Sequence, residues 1–212
     1  MRALRLLREV KLIAAEDTRT TRRLLTAYNI KTPLTSYHEH SKRAKLDYLL
    51  DYLEREDLAL VSEAGMPGLS DPGYELIVAA IERGISVVPI PGASAVITAL
   101  VVSGLPTDQF VYIGFLPRRA GQRQRLLNSI ADERRTLVAF ETRHRLTEVL
   151  SEIEEILGNR RLCVCRELTK VHEEIFRGRV SQAREYFTEP RGEFSLVIEG
   201  KTRAWLKFQE RS

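Results

Sequence analysis

A chain of 212 residues with 43% hydrophobic and 29% charged side chains has a globular composition, which excludes a disordered or low-complexity protein. No apolar run approaches the ~20 residues that cross a bilayer, and Met1-Arg-Ala-Leu-Arg-Leu-Leu-Arg-Glu-Val10 has no signal core or cleavage site, so the expectation is a cytosolic protein. A formal charge of +4 points to an anionic partner, and two cysteines are too few for a disulfide framework.

Apolar runs and helical patterns alternate along the chain. Lys11–Ala15 reads as a strand, Thr20–Ile30 as a helix, Pro33–Tyr37 as a strand and Ala44–Arg55 as a helix. Leu58–Ser62 and Ser86–Ile90 read as further strands around a helix at Glu75–Arg83, with Gly84 placed as its C-cap glycine. Such repetition predicts a parallel sheet covered by helices. Gly104-Leu-Pro-Thr-Asp108 is the expected boundary, giving domains 1–107 and 108–212.

Beyond it, strands are expected at Gln109–Gly114, Thr136–Glu141, Arg161–Arg166, Glu173–Arg177 and Phe194–Glu199. The last three follow one another with little helix between, so the second sheet is expected to be mixed. Arg143–Leu157 is its longest helix, with Glu148, Glu152 and Glu155 as a solvated face. Cys163 and Cys165 should share one face of a buried strand, and with four histidines and no ligand spacing no metal is expected.

Ligands of doubly wound sheets collect at the carboxyl ends of strands, and the loops there stand out. Ser62-Glu-Ala-Gly-Met-Pro-Gly-Leu-Ser-Asp-Pro-Gly73 can bring backbone close to a ligand at Gly65 and is stiffened by Pro67 and Pro72. Ser70 or Asp71 is positioned to cap the next helix. Pro91-Gly-Ala-Ser-Ala95 opens a small-residue helix whose exposed N–H groups suit a carboxylate or an adenine edge. Leu116-Pro-Arg-Arg-Ala-Gly-Gln-Arg-Gln-Arg-Leu126 carries Arg118, Arg119, Arg123 and Arg125 with no acid, which reads either as a phosphate-tracking strip or as a solvated helix face. Glu16, Asp17 and Arg19 follow a strand end; the plainer alternative has Asp17 or Thr18 capping a helix and Arg19 pairing with an acid. His38 and His40 flank Glu39 as RNA contacts or as ordinary loop residues.

Ala15-Glu-Asp-Thr-Arg19, Ser36-Tyr-His-Glu-His40, Ser62–Gly73, Pro91–Ala95, Gly114-Phe-Leu-Pro117, Phe140-Glu-Thr-Arg-His-Arg145, Arg166-Glu-Leu-Thr-Lys170 and Gly192-Glu-Phe-Ser-Leu-Val-Ile-Glu-Gly200 occur here in series. In that order, over residues 1 to about 200, the chain resembles the ribosomal RNA small subunit methyltransferase I family of the tetrapyrrole methylase superfamily. The resemblance implies two α/β domains, the first mainly parallel and the second mixed, with S-adenosylmethionine in the cleft between them. It also implies methyl transfer to the ribose 2′-oxygen of a cytidine in the decoding region of small-subunit ribosomal RNA, free or in the assembled subunit, and a homodimer.

Carried over by motif, the cofactor contacts are Ala64, Gly65, Met66, Leu69, Pro91, Gly92, Ser94 and Ala95, joined by Glu141 and Leu168. Met66 lacks the carboxylate of corrin methylases, so contact there is expected through backbone. The catalytic candidates are Glu16, Asp17, Arg19, Glu167 and Lys170, with Glu141 also considered for proton removal; a lysine base needs its pKa lowered by burial. Arg118, Arg119, Arg123 and Arg125 are the expected RNA contacts. Family members begin with an extra strand and a Thr-Pro-Ile-Gly-Asn-like loop that this sequence does not show. The first sheet is therefore expected to lack a strand and to exchange amides faster than the second. Two other functions compete: a small-molecule corrin or porphyrin methylase, which has no use for an extended arginine strip, and an inactive RNA-binding protein, which S-adenosylmethionine binding would exclude.

Overall fold

The computed structural model describes residues 2–38 and 43–201. The chain divides into two compact units, Met1–Ser94 and Ala95–Ser212.

The first unit runs α1 (Arg2–Glu9), β1 (Leu12–Ala15), α2 (Thr18–Ala27), β2 (Leu34–Ser36), α3 (Arg43–Leu53), β3 (Leu58–Val61) and α4 (Tyr74–Glu82). Its sheet has the order β2-β1-β3, with both pairings parallel. Every residue of β1 is buried because helices cover both sides. Leu12 and Ala14 pack with Leu49 and Leu50 of α3 and Leu76 and Ala80 of α4, whereas Ile13 packs with Leu7 of α1 and Leu25 of α2. Burying a leucine or isoleucine here contributes about 1.5–3 kcal/mol.

Helix α4 stops as the sequence implies. Gly84 takes φ +72°, its N–H donates to Ile81, and the Ile85 N–H reaches back to Ala80, closing a Schellman turn. The start of α4 differs from expectation. Gly73, at φ 144°, is the N-cap, and neither Ser70 nor Asp71 caps the helix. Ser86–Ile90 is also a correction, for it forms no strand. Among the described residues no strand lies beside it to take its backbone groups, and Val87 and Val88 are exposed.

The second unit runs α5 (Ala95–Val102), β4 (Phe110–Phe115), α6 (Ala120–Ser129), β5 (Thr136–Thr142), α7 (Leu146–Leu157), β6 (Arg161–Arg166), β7 (Glu174–Arg179), α8 (Val180–Tyr186) and β8 (Glu193–Ile198). The sheet order is β4-β5-β8-β6-β7, with β4–β5 parallel and the other pairings antiparallel. Helices α6, α7 and α8 cover one face through Leu127, Leu150, Ile153 and Val180. Helix α5 covers the other, its Val96, Ala99 and Leu100 packing on Val138, Cys163, Cys165 and Val197. The expected boundary at Gly104–Asp108 lies beyond this helix. The cysteines do share a buried face, with their Sγ atoms 3.6 Å apart. Among the described residues no helix is long and apolar enough to cross a membrane.

Candidate functional site

Strands β1 and β3 are parallel neighbours, so the residues that follow them emerge together at one edge of the first sheet. The Glu16 N–H donates to the Val61 carbonyl (3.1 Å), and the Glu63 N–H donates to the Glu16 carboxylate (3.2 Å). Asp17 is the N-cap of α2, accepting from the N–H groups of Arg19 and Thr20 while Arg19 Nη2 pairs with its Oδ2 at 3.0 Å. These bonds to the Arg19 side chain and backbone hold the Asp17 pKa at about 2. Asp17 and Arg19 thus cap and pair, while Glu16 accepts from the backbone of the β3 loop.

Sequence reasoning passed over two carboxylates here. Partial desolvation and the charges of Glu16 and Asp17 push the Glu63 pKa up. Burial, followed by the charge of Glu16, does the same to Asp71. The available signal was positional, since Glu63 stands two residues beyond the end of β3 and Glu16 one residue beyond β1. A raised carboxyl favours folding less as pH rises from the ordinary carboxylate range through the folded value. Replacing Glu63 with Gln should therefore raise the thermal midpoint at neutral pH, with the gain fading below about pH 4, where both states are protonated. Asp17, being depressed, acts oppositely: its contribution is present at neutral pH and is lost as pH falls towards about 2. A gain for Glu63→Gln that persisted at low pH would contradict the repulsion.

The loop after β3 is folded tightly. Gly65, Gly68, Ser70 and Gly73 all have left-handed backbone, and the Ser62 Oγ donates to the Ala64 carbonyl at 3.0 Å. The loop comes against residues 91–94 of the same unit. A Cβ added to Gly92 would stand 3.4 Å from the Gly65 carbonyl oxygen and 3.7 Å from Met66 Cγ. One added to Gly65 would stand 3.8 Å from Asp71 Oδ2 and 3.9 Å from the Ala93 oxygen. Two stretches of nearly bare backbone thus face each other, with Ala64, Gly65, Leu69, Pro91 and Gly92 exposed and Met66 and Ser94 half-buried. Glycine at both points of closest approach, with a backbone carbonyl oxygen beside each, suits a polar, close-held cofactor. Glu39 and His40 lie outside the described residues, and His38 is exposed.

In the second unit, Ala95 begins α5, Glu141 lies near the end of β5, and Leu168 sits in the β6–β7 turn, packed against the α5-side core. Glu141 is fully buried; its Oε1 accepts from the Thr142 N–H and pairs with Arg145 at 2.6 Å, while its Oε2 has no partner among the described residues. In the turn, Glu167 and Thr169 hold left-handed backbone, which costs about 1–2 kcal/mol per non-glycine residue. Lys170 Nζ pairs with Glu193 (2.7 Å) and Glu167 (3.1 Å), and these bonds raise its pKa, opposite to what a lysine base requires. Hydrogen bonds, first to the Glu193 backbone and then to Lys170, lower the Glu167 pKa.

The arginine strip separates into two kinds of residue. Arg118, Arg119 and Arg125 are exposed and, among the described residues, join no ion pair. Arg123 is buried on the inner side of α6, and its guanidinium pairs with Glu152 and with Glu148 (2.6 Å) while donating to the Pro117 and Arg118 carbonyls. Two expectations are corrected together: Arg123 has no reach to a phosphate, and Glu152, 7% exposed, is an internal counterion rather than part of a solvated face.

Residues 1–184 match the family described as Tetrapyrrole (Corrin/Porphyrin) Methylases. Ribosomal RNA small subunit methyltransferase I of Halalkalibacterium halodurans is 51% identical over 94% of this chain and 70% of its own length. The protein of that name from Thermotoga maritima is 47% identical over 95% of this chain and 91% of its own. Among solved structures, a diphthine synthase superposes with a TM-score of 0.71 at 12% identity, over 99% of this chain and 87% of that one. Uroporphyrin-III C-methyl transferase from Thermus thermophilus, complexed with S-adenyl homocysteine, gives 0.60 at 18% identity, over 93% and 89%. The two structural likenesses carry the fold alone. The chain belongs to the tetrapyrrole methylase family and, within it, to the ribosomal RNA small subunit methyltransferase I family. It is a methyltransferase.

Proposed function

We propose that this protein methylates the ribose 2′-oxygen of a cytidine in the decoding region of small-subunit ribosomal RNA. The observation that carries the reading is an exposed arginine strip free of acids, Arg118, Arg119 and Arg125, on a chain of this methylase family. A tetrapyrrole is a compact substrate and gives such a strip no task, whereas an RNA backbone does.

S-adenosylmethionine supplies an activated methyl group when bound. Ala64, Gly65, Met66, Leu69, Pro91, Gly92 and Ser94 are the residues proposed to hold it, chiefly through backbone; Ala95, Glu141 and Leu168 are proposed on the family resemblance alone. Fixing the reacting groups in line supplies much of the acceleration. Loss of the hydroxyl proton during attack is helped by a carboxylate more basic than usual. Glu63 and Asp71 are shifted in that direction, with Glu16 beside Glu63. Asp17 and Glu167 are shifted the other way and Lys170 stays charged, so these three, with Arg19, are assigned to positioning.

Replacing Arg118, Arg119 and Arg125 with Gln should lower the slope of log affinity against log salt by about 2, at ~0.7 per lost contact to single-stranded RNA. The probe is a fragment of small-subunit ribosomal RNA spanning the decoding region, with S-adenosylmethionine affinity measured alongside and expected unchanged. An unaltered salt slope would make the strip a solvated face and remove the main support for an RNA substrate.

A further inference from the structure

We infer that Arg143 and His144, in the β5–α7 loop, form with Arg118 and Arg119 a single phosphate-binding edge. The inference rests on the RNA reading above and extends it to residues that no motif assigned to RNA. Strands β4 and β5 are parallel and in register at Phe115 and Phe140. Arg118 and Arg143 are each the third residue beyond that matched pair, so both loops leave the sheet at the same edge.

Buried groups then bind the two loops together. The Leu116 N–H donates to the Phe140 carbonyl at 3.4 Å, and Arg145 Nη1 donates to the Leu116 carbonyl at 3.1 Å while Nη2 pairs with buried Glu141. Arg123, fully buried, donates to the carbonyls of Pro117 and Arg118, each at 3.3 Å, and is itself held by Glu148 and Glu152. Of the carboxylates beside the loops, Glu141, Glu148 and Glu152 are engaged by internal arginines, and Glu193, the cross-strand neighbour of Thr142, is engaged by Lys170. Arg118, Arg119, Arg143 and His144 are all exposed, and among the described residues none joins an ion pair. Arg143 donates its Nε to His144 Nε2 at 3.2 Å, and among the described residues its two terminal nitrogens join no carboxylate. Helix α6 adds to the same end: its N-cap is Arg119 without a side-chain cap, and its first turn has no acid.

Arg118, Arg119 and Arg143 rise from two braced loops and their forked guanidinium groups suit phosphate oxygens, while His144, whose Nε2 accepts from Arg143, can add a donor at Nδ1. The geometry therefore fits the backbone of a single RNA strand laid across both loops.

The test is salt-dependent binding of the decoding-region RNA fragment by three variants. Arg143→Gln with His144→Gln should lower the salt slope by about 0.7, one phosphate contact, and weaken binding several-fold. Arg134→Gln, an equal charge change beside the opposite end of β5, should leave the slope unchanged. Thermal unfolding confirms that these exposed replacements keep the fold. If Arg143→Gln/His144→Gln matches wild type while the Arg118/Arg119/Arg125 variant loses slope, the shared edge is overturned and the RNA reading stands. If Arg134→Gln lowers the slope equally, the effect is one of overall charge and the edge is again overturned. If the wild-type protein shows no salt-dependent RNA binding, both fail.

Discussion

Replacing Gly92 with valine is expected to weaken S-adenosylmethionine binding on the order of 100-fold, equivalent to about 2.8 kcal/mol, with the fold retained. Gly92 is not among the residues with left-handed backbone, so valine meets no strain there. Its Cβ alone would already stand 3.4 Å from the Gly65 oxygen, and the two further methyls must enter the space between the facing loops. Gly65 is a poorer test because its φ of +75° would strain any side chain, confounding fold with binding. Calorimetric titration together with thermal unfolding separates the two effects. Unchanged affinity in a folded Gly92→Val protein would remove the cradle from the cofactor site.

The second large effect lies under the arginine strip. Arg123→Met should destabilise the second unit by about 3–5 kcal/mol, because removing one partner leaves Glu152 as an uncompensated buried charge. Adding Glu152→Leu should recover much of that loss, since two apolar side chains can replace a buried ion pair at little cost. Urea unfolding followed by amide exchange in α7 reads both variants. A loss under 1 kcal/mol for Arg123→Met alone would mean the pair carries little of the packing between α6 and α7.

Arg123 also shows where the sequence stopped being informative. Four arginines in eight residues read as one strip, and only the packing of α6 on α7 shows that one of them points inward to Glu152. Charge composition reports no direction; tertiary contact does. The Schellman turn at Gly84 was legible because its determinants are local, a glycine after an apolar helical pattern. Ser86–Ile90 misled for the converse reason. Its β-branched composition satisfies a strand pattern, but a strand exists only where a neighbour takes its hydrogen bonds. The parallel first sheet and the mixed second sheet followed from element order and loop length, which are sequence properties.

At the candidate site, the glycines and prolines of residues 62–73 and 91–95 were visible as unusual loops. That they face each other within the first unit, with Gly92 against Gly65, depends on chain folding. Asp17 and Arg19 looked like a catalytic pair, and their local alternative, cap and ion pair, is the arrangement found. Glu63 was overlooked because its distinction arises from tertiary placement, first partial desolvation and then the charges of Glu16 and Asp17.

The most direct measurement is the chemical position of the transferred methyl group. The protein is incubated with small-subunit ribosomal RNA and S-adenosylmethionine carrying an isotopically labelled methyl, and the RNA is digested to nucleosides for mass spectrometry. The account predicts label in 2′-O-methylcytidine from the decoding region, at a position that also becomes resistant to alkaline cleavage. Label on a base atom, or labelled tetrapyrrole with RNA left unlabelled, would contradict it.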